Sequence, residues 1–331
     1  YLGFSLRNPA YPDTPITARM LLAHTSSIRD GDVYSIPMPH TLKAFFIDGG
    51  AYHENGAHFA TPEDGKDLAP GAYFRYSKLN FGVLATVVER ITDQRFDLFM
   101  QDRVFNPLGI IASYNVRTLT DEAFSNLRPL YRPVDGEWVA QVDDYQGKRP
   151  DDYLQVQNPD GDDTKGQSEI PLSDYMVGTN GTLFSPQGGL RISAHDLARI
   201  GQLLINRGEL DGVRLLDPET VAAMEAPVWT FDGSNGHTYW GLMQEYGLSV
   251  HNLLGKSADD GSDIPFEGYT GGLSGHAGEA YGLLSGLFYD ADTGDGFVYF
   301  LQGTPNLDDN YGSYSSFYAW EEGILTTLSG L

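Results

Sequence analysis

Ser26 and Arg29 stand at a spacing that would put a hydroxyl and a cation one turn apart on a helix face. Arg stays protonated and makes a poor proton acceptor, so the pair is a weak nucleophile–base candidate. No S-x-x-K spacing, the version with a usable amine, occurs in the 331 residues. Cys is absent, which excludes thiolate catalysis, disulfides and Cys-ligated zinc within the chain. The eight histidines show neither H-E-x-x-H nor a tight paired spacing, so no metal site is expected. One of them, His276, lies among Gly271, Gly272, Gly275, Gly278 and Gly282. Alone it reads as an ordinary strand histidine, but glycines at this density favour a site wall, where a ligand can approach the backbone. No Walker A and no G-x-G-x-x-G pattern occurs, so nucleotide binding is unsupported and no cofactor is expected. The acidic stretch 158–169 lacks the full twelve-residue calcium pattern and is expected to be an exposed loop.

Charge narrows the partners. With 45 acidic residues against 21 Lys and Arg, the net charge of -24 repels nucleic-acid backbones and anionic membranes. Solubility is the simpler reading of this charge, and a preference for cationic ligands is the functional one. No apolar run reaches the length of a membrane span. Aromatics at 12% and hydrophobics at 41% describe a globular chain rather than a disordered one. Its length suffices for one large domain or a body with a lobe.

Helices come first in the elements that must position these residues. ITARMLLAH reads as a short helix with Thr17 as N-cap. Residues 26 to 71 mix Gly, Pro, His and Asp and predict irregular structure with one short helix near LKAFF. Phe81, Leu84, Val88 and Ile91 recur at helical spacing and predict a helix over 78–91. A second helix at roughly 95–104 ends at Asn106-Pro107. Ser193 and Asp196 form a capping-box pattern before LARIGQLLINRG, with Gly208 as terminator. Asp217 and Pro218 then open a further helix. From about residue 238 the pattern changes to strands. The runs 282–290 and 297–303 predict an antiparallel hairpin, and a terminal helix follows. Strands and helices do not alternate regularly, which argues against a βαβ arrangement.

Five segments, in order, resemble the β-lactamase-related serine hydrolases, the broad family of class C β-lactamases, D-Ala-D-Ala carboxypeptidases, D-amino-acid peptidases and many esterases. ITARMLLAHTSSI (16–28) resembles its HTSG signature, and PGAYFRYSKLNFGVLATVVERIT (70–92) its Y-S-N stretch. NPLGI (106–110) is similar to its PLGM, and SPQGGLRISAHDLARIGQLLINRG (185–208) to its GG-x-x-S-x-x-D helix. GHAGEAYGLLSGLFYD (275–290) is similar to its H-x-G strand.

The resemblance implies an α+β fold, the α/β sandwich of β-lactamase/transpeptidase-like type, with an antiparallel sheet flanked by helices plus a helical region. It implies one β-lactamase-like domain over 1–331 lacking its N-terminal portion. A mainly helical and loop region would cover about 16–235, and strands with the C-terminal helix about 236–331. The implied chemistry is acyl transfer from a Ser nucleophile in S-x-x-K. The family keeps that motif upstream of HTSG, so the nucleophile is expected on an N-terminal segment or companion chain outside this one. Tyr76 matches the Y-x-N tyrosine, a partner for the nucleophile's proton. Lys78 replaces the Asn and offers only donors and a positive charge, which suits an anionic substrate group and disfavours antibiotic hydrolysis. His276, Ala277 and Gly278 match the H-x-G variant of K-T-G, a strand lying along the substrate, with an oxyanion-hole N–H nearby. His24 is expected to be scaffold, and Ser27 replaces a turn Gly. The expected partner is a small-molecule or peptide substrate, not nucleic acid. The alternative is a catalytically inactive penicillin-binding-like homologue used for binding or as a scaffold. Localisation stays open, with secreted or periplasmic placement suggested by relatives.

Overall fold

The computed structural model describes residues 1–151, 153–157, 167–258, 261–304 and 310–330. Two compact units result, Tyr1–Ser193 and Ala194–Leu331.

In the first unit, helix α1 (Ala18–Leu22) begins where the extended Thr17 accepts the Met20 N–H on its hydroxyl at 3.3 Å, as its residue type predicts. Helix α2 (Lys43–Phe46) buries Phe45 and Phe46. Helix α3 (Leu79–Thr92) ends at Asp93, which is left-handed and returns its N–H to the Glu89 carbonyl. Leu21, Ile28, Ile36, Phe45, Leu79 and Val83 share one core around these three helices. Helix α4 (Phe96–Met100) passes into a π turn over Gln101–Phe105 and stops at Asn106-Pro107. Strand β1 (Ala112–Ser113) and helix α5 (Asp121–Ser125) follow. Two antiparallel hairpins come next, β2 (Leu130–Val134) with β3 (Glu137–Val142) and β4 (Tyr153–Gln157) with β5 (Gln167–Pro171). Strand β6 (Arg191–Ile192) returns to pair with β1, Ile192 opposite Ala112.

The helix expected over 78–91 is present as α3, with Phe81, Leu84 and Val88 half-buried and Ile91 60% exposed. The buried face carries Leu79, Asn80, Gly82, Val83, Thr86 and Glu89. Its small and polar residues admit the 180–184 segment closely. A Cβ on Gly82 would stand 2.4 Å from Thr182 Cγ2, and Thr86 Oγ1 accepts the Gly181 N–H at 2.8 Å. Close approach and hydrogen bonding thus add to the apolar burial of Leu79 and Val83 on that face. The stretch read as a loop over 158–169 lies outside the described residues at 158–166, and the calcium reading with it. Its last residues, Gln167, Ser168 and Glu169, belong to strand β5.

The second unit opens with helix α6 (Ala194–Ile205), the hairpin β7 (Glu209–Leu210)–β8 (Val213–Arg214) and helix α7 (Pro218–Glu225). The α6 terminus refines expectation. The Gly208 N–H reaches the Leu203 carbonyl and the Arg207 N–H the Leu204 carbonyl, and Arg207, at φ 54°, precedes the expected terminator Gly208, itself at φ 90°. Asp217 precedes α7 with extended backbone, and Pro218 takes the first helical position, but the Asp217 side chain makes no capping hydrogen bond.

Short strands β9 (Trp229–Thr230), β10 (Glu245–Tyr246), β11 (His251–Asn252) and the pair β12 (Ser257–Ala258)–β13 (Gly261–Ser262) lead to three long ones. These are β14 (Ser274–Ala280), β15 (Leu283–Tyr289) and β16 (Gly296–Gln302), followed by helix α8 (Ala319–Leu328). Six strands form one antiparallel sheet in the order β16-β15-β14-β11-β10-β9. Leu284, Gly286 and Phe288 alternate as the buried face of β15, the period-two pattern of a half-covered strand. Phe288 packs in a core with Leu253, Leu273, Tyr299, Phe317 and Leu325 of α8. The predicted hairpin is thus present, closed by Asp290, whose carboxylate accepts the Asp292 and Thr293 N–H groups.

Candidate active site

The residues singled out in the sequence fall into two groups, one in each unit. In the first, Tyr76 and Lys78 occupy the approach to α3. His24, fully buried just after α1, holds this approach at three consecutive residues. Its carbonyl accepts the Arg75 N–H at 2.9 Å, and its Nδ1 accepts the Ser77 N–H at 3.1 Å. Its ring stacks on Tyr76 with centroids 4.0 Å apart and planes 27° apart. Asn80 Nδ2 lies 3.3 Å from the same Nδ1, while Asn80 Oδ1 accepts the Ser26 hydroxyl at 2.7 Å. That hydroxyl also accepts the Ile28 N–H, so Ser26 is a buried scaffold group rather than a nucleophile paired with Arg29.

Asp30 completes the hold. Its Oδ1 accepts the Ser77 hydroxyl and the Leu79 N–H, each at 2.9 Å. A carboxylate here satisfies an otherwise orphan donor of the first turn of α3 and complements the helix dipole. Sequence reasoning missed Asp30, because its partners are far along the chain and no local pattern announces them.

Lys78 is exposed at the N-cap position of α3, in helical backbone and without a capping side-chain bond. Its Nζ sits 4.7 Å from the centroid of the Tyr34 ring, a cation–π contact. Ser27 takes a left-handed conformation, φ 65°, where the family motif carries Gly. Asn8 Nδ2 donates to the Ser27 hydroxyl at 3.2 Å, a bond that Gly would not make.

In the second unit, His276, Ala277 and Gly278 are consecutive on β14, paired with Leu287, Gly286 and Ser285 of β15. His276 Nδ1 lies 2.5 Å from the Ala277 carbonyl, which fixes a proton on that nitrogen. Burial lowers the His276 pKa, with the Ala277 carbonyl acting the other way. His251, fully buried on β11, has its ring 6.4 Å from that of His276. Burial, helped by the charge of His276, pushes the His251 pKa down to about 3, so it stays neutral at ordinary pH. Tyr246 faces both rings.

The glycines around His276 have packing reasons of their own. A Cβ on Gly275 would stand 2.0 Å from the Leu287 carbonyl oxygen, and one on Gly272 would stand 2.8 Å from Asp290 Oδ2. At Gly278 the obstacle is only the Ser285 hydroxyl, 2.6 Å away and able to rotate. Gly272 is also held by its backbone, at φ 114°, whereas Gly278 has neither such a φ nor a backbone atom close to where a Cβ would stand. Among the described residues, no group of three or more His, Asp or Glu is arranged to hold a metal ion. No helix among them is long and apolar enough to cross a membrane.

The chain matches known proteins over nearly its whole length. The sequence profile of the Beta-lactamase family covers residues 1–315, and the chain belongs to that family. It is 25% identical over 298 residues to penicillin-binding protein 4 of Amycolatopsis lactamdurans, covering 86% of this chain. The chain spans 66% of that relative's length, and 32% of the length of other curated relatives it matches. Among solved structures, a D-amino acid amidase from Ochrobactrum anthropi SV3 matches with TM-score 0.58 and 14% identity, over 96% of this chain and 72% of its own. A penicillin binding protein from Bacillus halodurans matches with TM-score 0.53 and 16% identity, over 100% and 76%. These two share the fold.

Proposed function

We propose that this chain is the larger part of a serine hydrolase that acts through an acyl-enzyme on an ester, amide or D-peptide. The nucleophilic Ser would lie on a segment outside the chain, since no S-x-x-K occurs within it. The observation that carries the reading is Tyr76, held by His24 stacking and by the anchored Ser77 at the mouth of α3. A phenol so fixed suits proton exchange with a neighbouring nucleophile. His276 to Gly278 would supply the strand along which substrate lies, and Lys78 a cation for an anionic substrate group. The relative named as a penicillin-binding protein is consistent with a D-peptide-like substrate.

A second reading, an inactive homologue serving as a binding protein, is favoured by Lys78. It replaces an amide with a charge that lies over Tyr34. The two readings separate on the protein joined to its upstream segment. A fluorophosphonate or fluorescent penicillin should label one Ser there, and Tyr76→Phe should slow that acylation about 100-fold or more. No labelling of the intact protein would favour the binding protein, and unchanged acylation in Tyr76→Phe would remove Tyr76 from the chemistry.

A further inference from the structure

We propose that His24 is the positioning residue of the site, setting the orientation of the Tyr76 phenol through its ring face and its Nδ1 acceptor. This rests on the reading of Tyr76 given above. The HTSS histidine reads from sequence as scaffold, but its contacts are more specific than filling a core requires. One residue grips Arg75 by its carbonyl, Ser77 by its ring nitrogen and Tyr76 by its ring face. Phe74 meets the same imidazole edge-on with centroids 6.0 Å apart, and Phe81 lies 5.5 Å away, so the ring has little freedom to turn. Its backbone is left-handed at φ 55°, an uncommon state for a residue with a Cβ.

The tautomer follows from the donors. Ser77 N–H can only donate, so Nδ1 must hold a lone pair and the imidazole is neutral with its proton on Nε2. Asn80 agrees: with Oδ1 occupied by the Ser26 hydroxyl, its amide is the group turned toward Nδ1. A neutral, oriented ring is thus stacked on the phenol that would carry the proton. Asp30 fixes the other side of the turn through Ser77 and Leu79. The phenol therefore keeps its place without relying on substrate, which is preorganisation of the kind that proton transfer rewards.

His24→Asn is the informative variant. Asn tolerates the left-handed backbone and keeps an acceptor, but it has no ring to stack. With ¹³Cζ-tyrosine labelling of the full chain, the Tyr76 signal is assigned by its loss in Tyr76→Phe. The expected result is that the Tyr76 signal shifts in His24→Asn while the other tyrosine signals stay in place. In protein carrying the upstream segment, kcat should fall roughly 10- to 100-fold with KM little changed. A Tyr76 signal that stays where it is would overturn the proposal. Should His24→Asn not fold, ¹⁵N-imidazole spectra of the unmodified protein decide instead. An unprotonated Nδ1 at neutral pH supports the proposal, and a protonated one refutes it. The nuclear magnetic resonance result stands apart from the hydrolase reading, which fails separately if Tyr76→Phe leaves acylation unchanged.

Discussion

Glu89 Oε2 accepts the Tyr175 hydroxyl at 2.7 Å, and through that carboxylate three separate stretches of the first unit are joined. The same oxygen takes the Gly178 N–H at 2.8 Å, and Oε1 takes the Phe96 N–H at 2.9 Å. Burial raises the Glu89 pKa, with these three hydrogen bonds acting against it. Replacing Glu89 by Ala would leave the three donors without their acceptor in a buried place. A loss of about 3 kcal/mol or more is expected, with Glu89→Gln intermediate because one of its atoms must face a donor with a donor. Urea unfolding monitored by circular dichroism measures this. Coincident curves for the parent and Glu89→Ala would show that the network adds nothing.

Glu321 makes the stability of the fold depend on pH. Only 3% exposed, it accepts the Tyr299 hydroxyl at 2.6 Å and the Tyr318 N–H at 3.2 Å. Burial pushes its pKa up to about 7 from the ordinary 4.5. For a carboxyl group raised on folding, the native state binds the proton more tightly than the unfolded state does. Its contribution is therefore fully present below about pH 4.5 and is lost as pH rises toward 7. The size is on the order of 3 kcal/mol. Glu321→Gln, uncharged throughout, should gain stability relative to the parent by up to that amount between pH 5 and pH 8. Denaturation midpoints of both proteins at the two pH values give the difference, and a difference that does not change with pH would refute the assignment.

Local chemistry was legible in the sequence wherever it was decided within a few residues. Thr17 caps α1, Asn106-Pro107 stops the α4 segment, and the β15–β16 hairpin lies where alternation and turn residues put it. The close contacts of α3 were not legible, because Gly82 and Thr86 meet Thr182 and Gly181, about a hundred residues away. The same holds for the site. Tyr76 and His276 could be marked by motif, but Asp30 and the grip of His24 on residues 75 to 77 exist only once the chain has folded. The glycines near His276 were read as a site wall, and the backbone contacts of Gly275 give that position a packing reason that spacing does not reveal.

Gly275 and Gly278 can be told apart by substitution. A methyl group at Gly275 would meet three backbone atoms, the Leu287 oxygen at 2.0 Å, Phe288 Cα at 2.8 Å and the Leu287 carbonyl carbon at 2.9 Å, and none can move without parting β14 from β15. Gly275→Ala should cost about 3 kcal/mol or prevent folding. At Gly278 the Ser285 hydroxyl can rotate away, so Gly278→Ala should cost about 1 kcal/mol or less, helped by the lower entropy of the unfolded chain. Thermal unfolding of the two variants side by side checks the order, and the reverse order would refute this account of the strand. A Gly278→Ala protein that is stable but loses turnover would mark Gly278 as a residue lying against substrate.

Lys78→Asn separates reactivity from stability at the mouth of α3. The Lys78 side chain is exposed, and its one described contact is with the Tyr34 ring at 4.7 Å. Losing an exposed cation–π contact costs about 0.5–1 kcal/mol, and Asn is well tolerated at a helix start. Asp30 already satisfies the Leu79 N–H, so capping of α3 does not hinge on residue 78. Stability should therefore change by less than about 1 kcal/mol. Reactivity is another matter. Asn presents a carbonyl and an amide where Lys presents only a charge, so it can both donate to and accept from an amide substrate. In protein carrying the proposed upstream segment, acylation by a penicillin-type probe should rise about 10-fold, the worth of one well-placed hydrogen bond. Stopped-flow or gel-based labelling reads the rate. If Lys78→Asn acylates no faster than the parent, then Lys78 does not hold back that acylation.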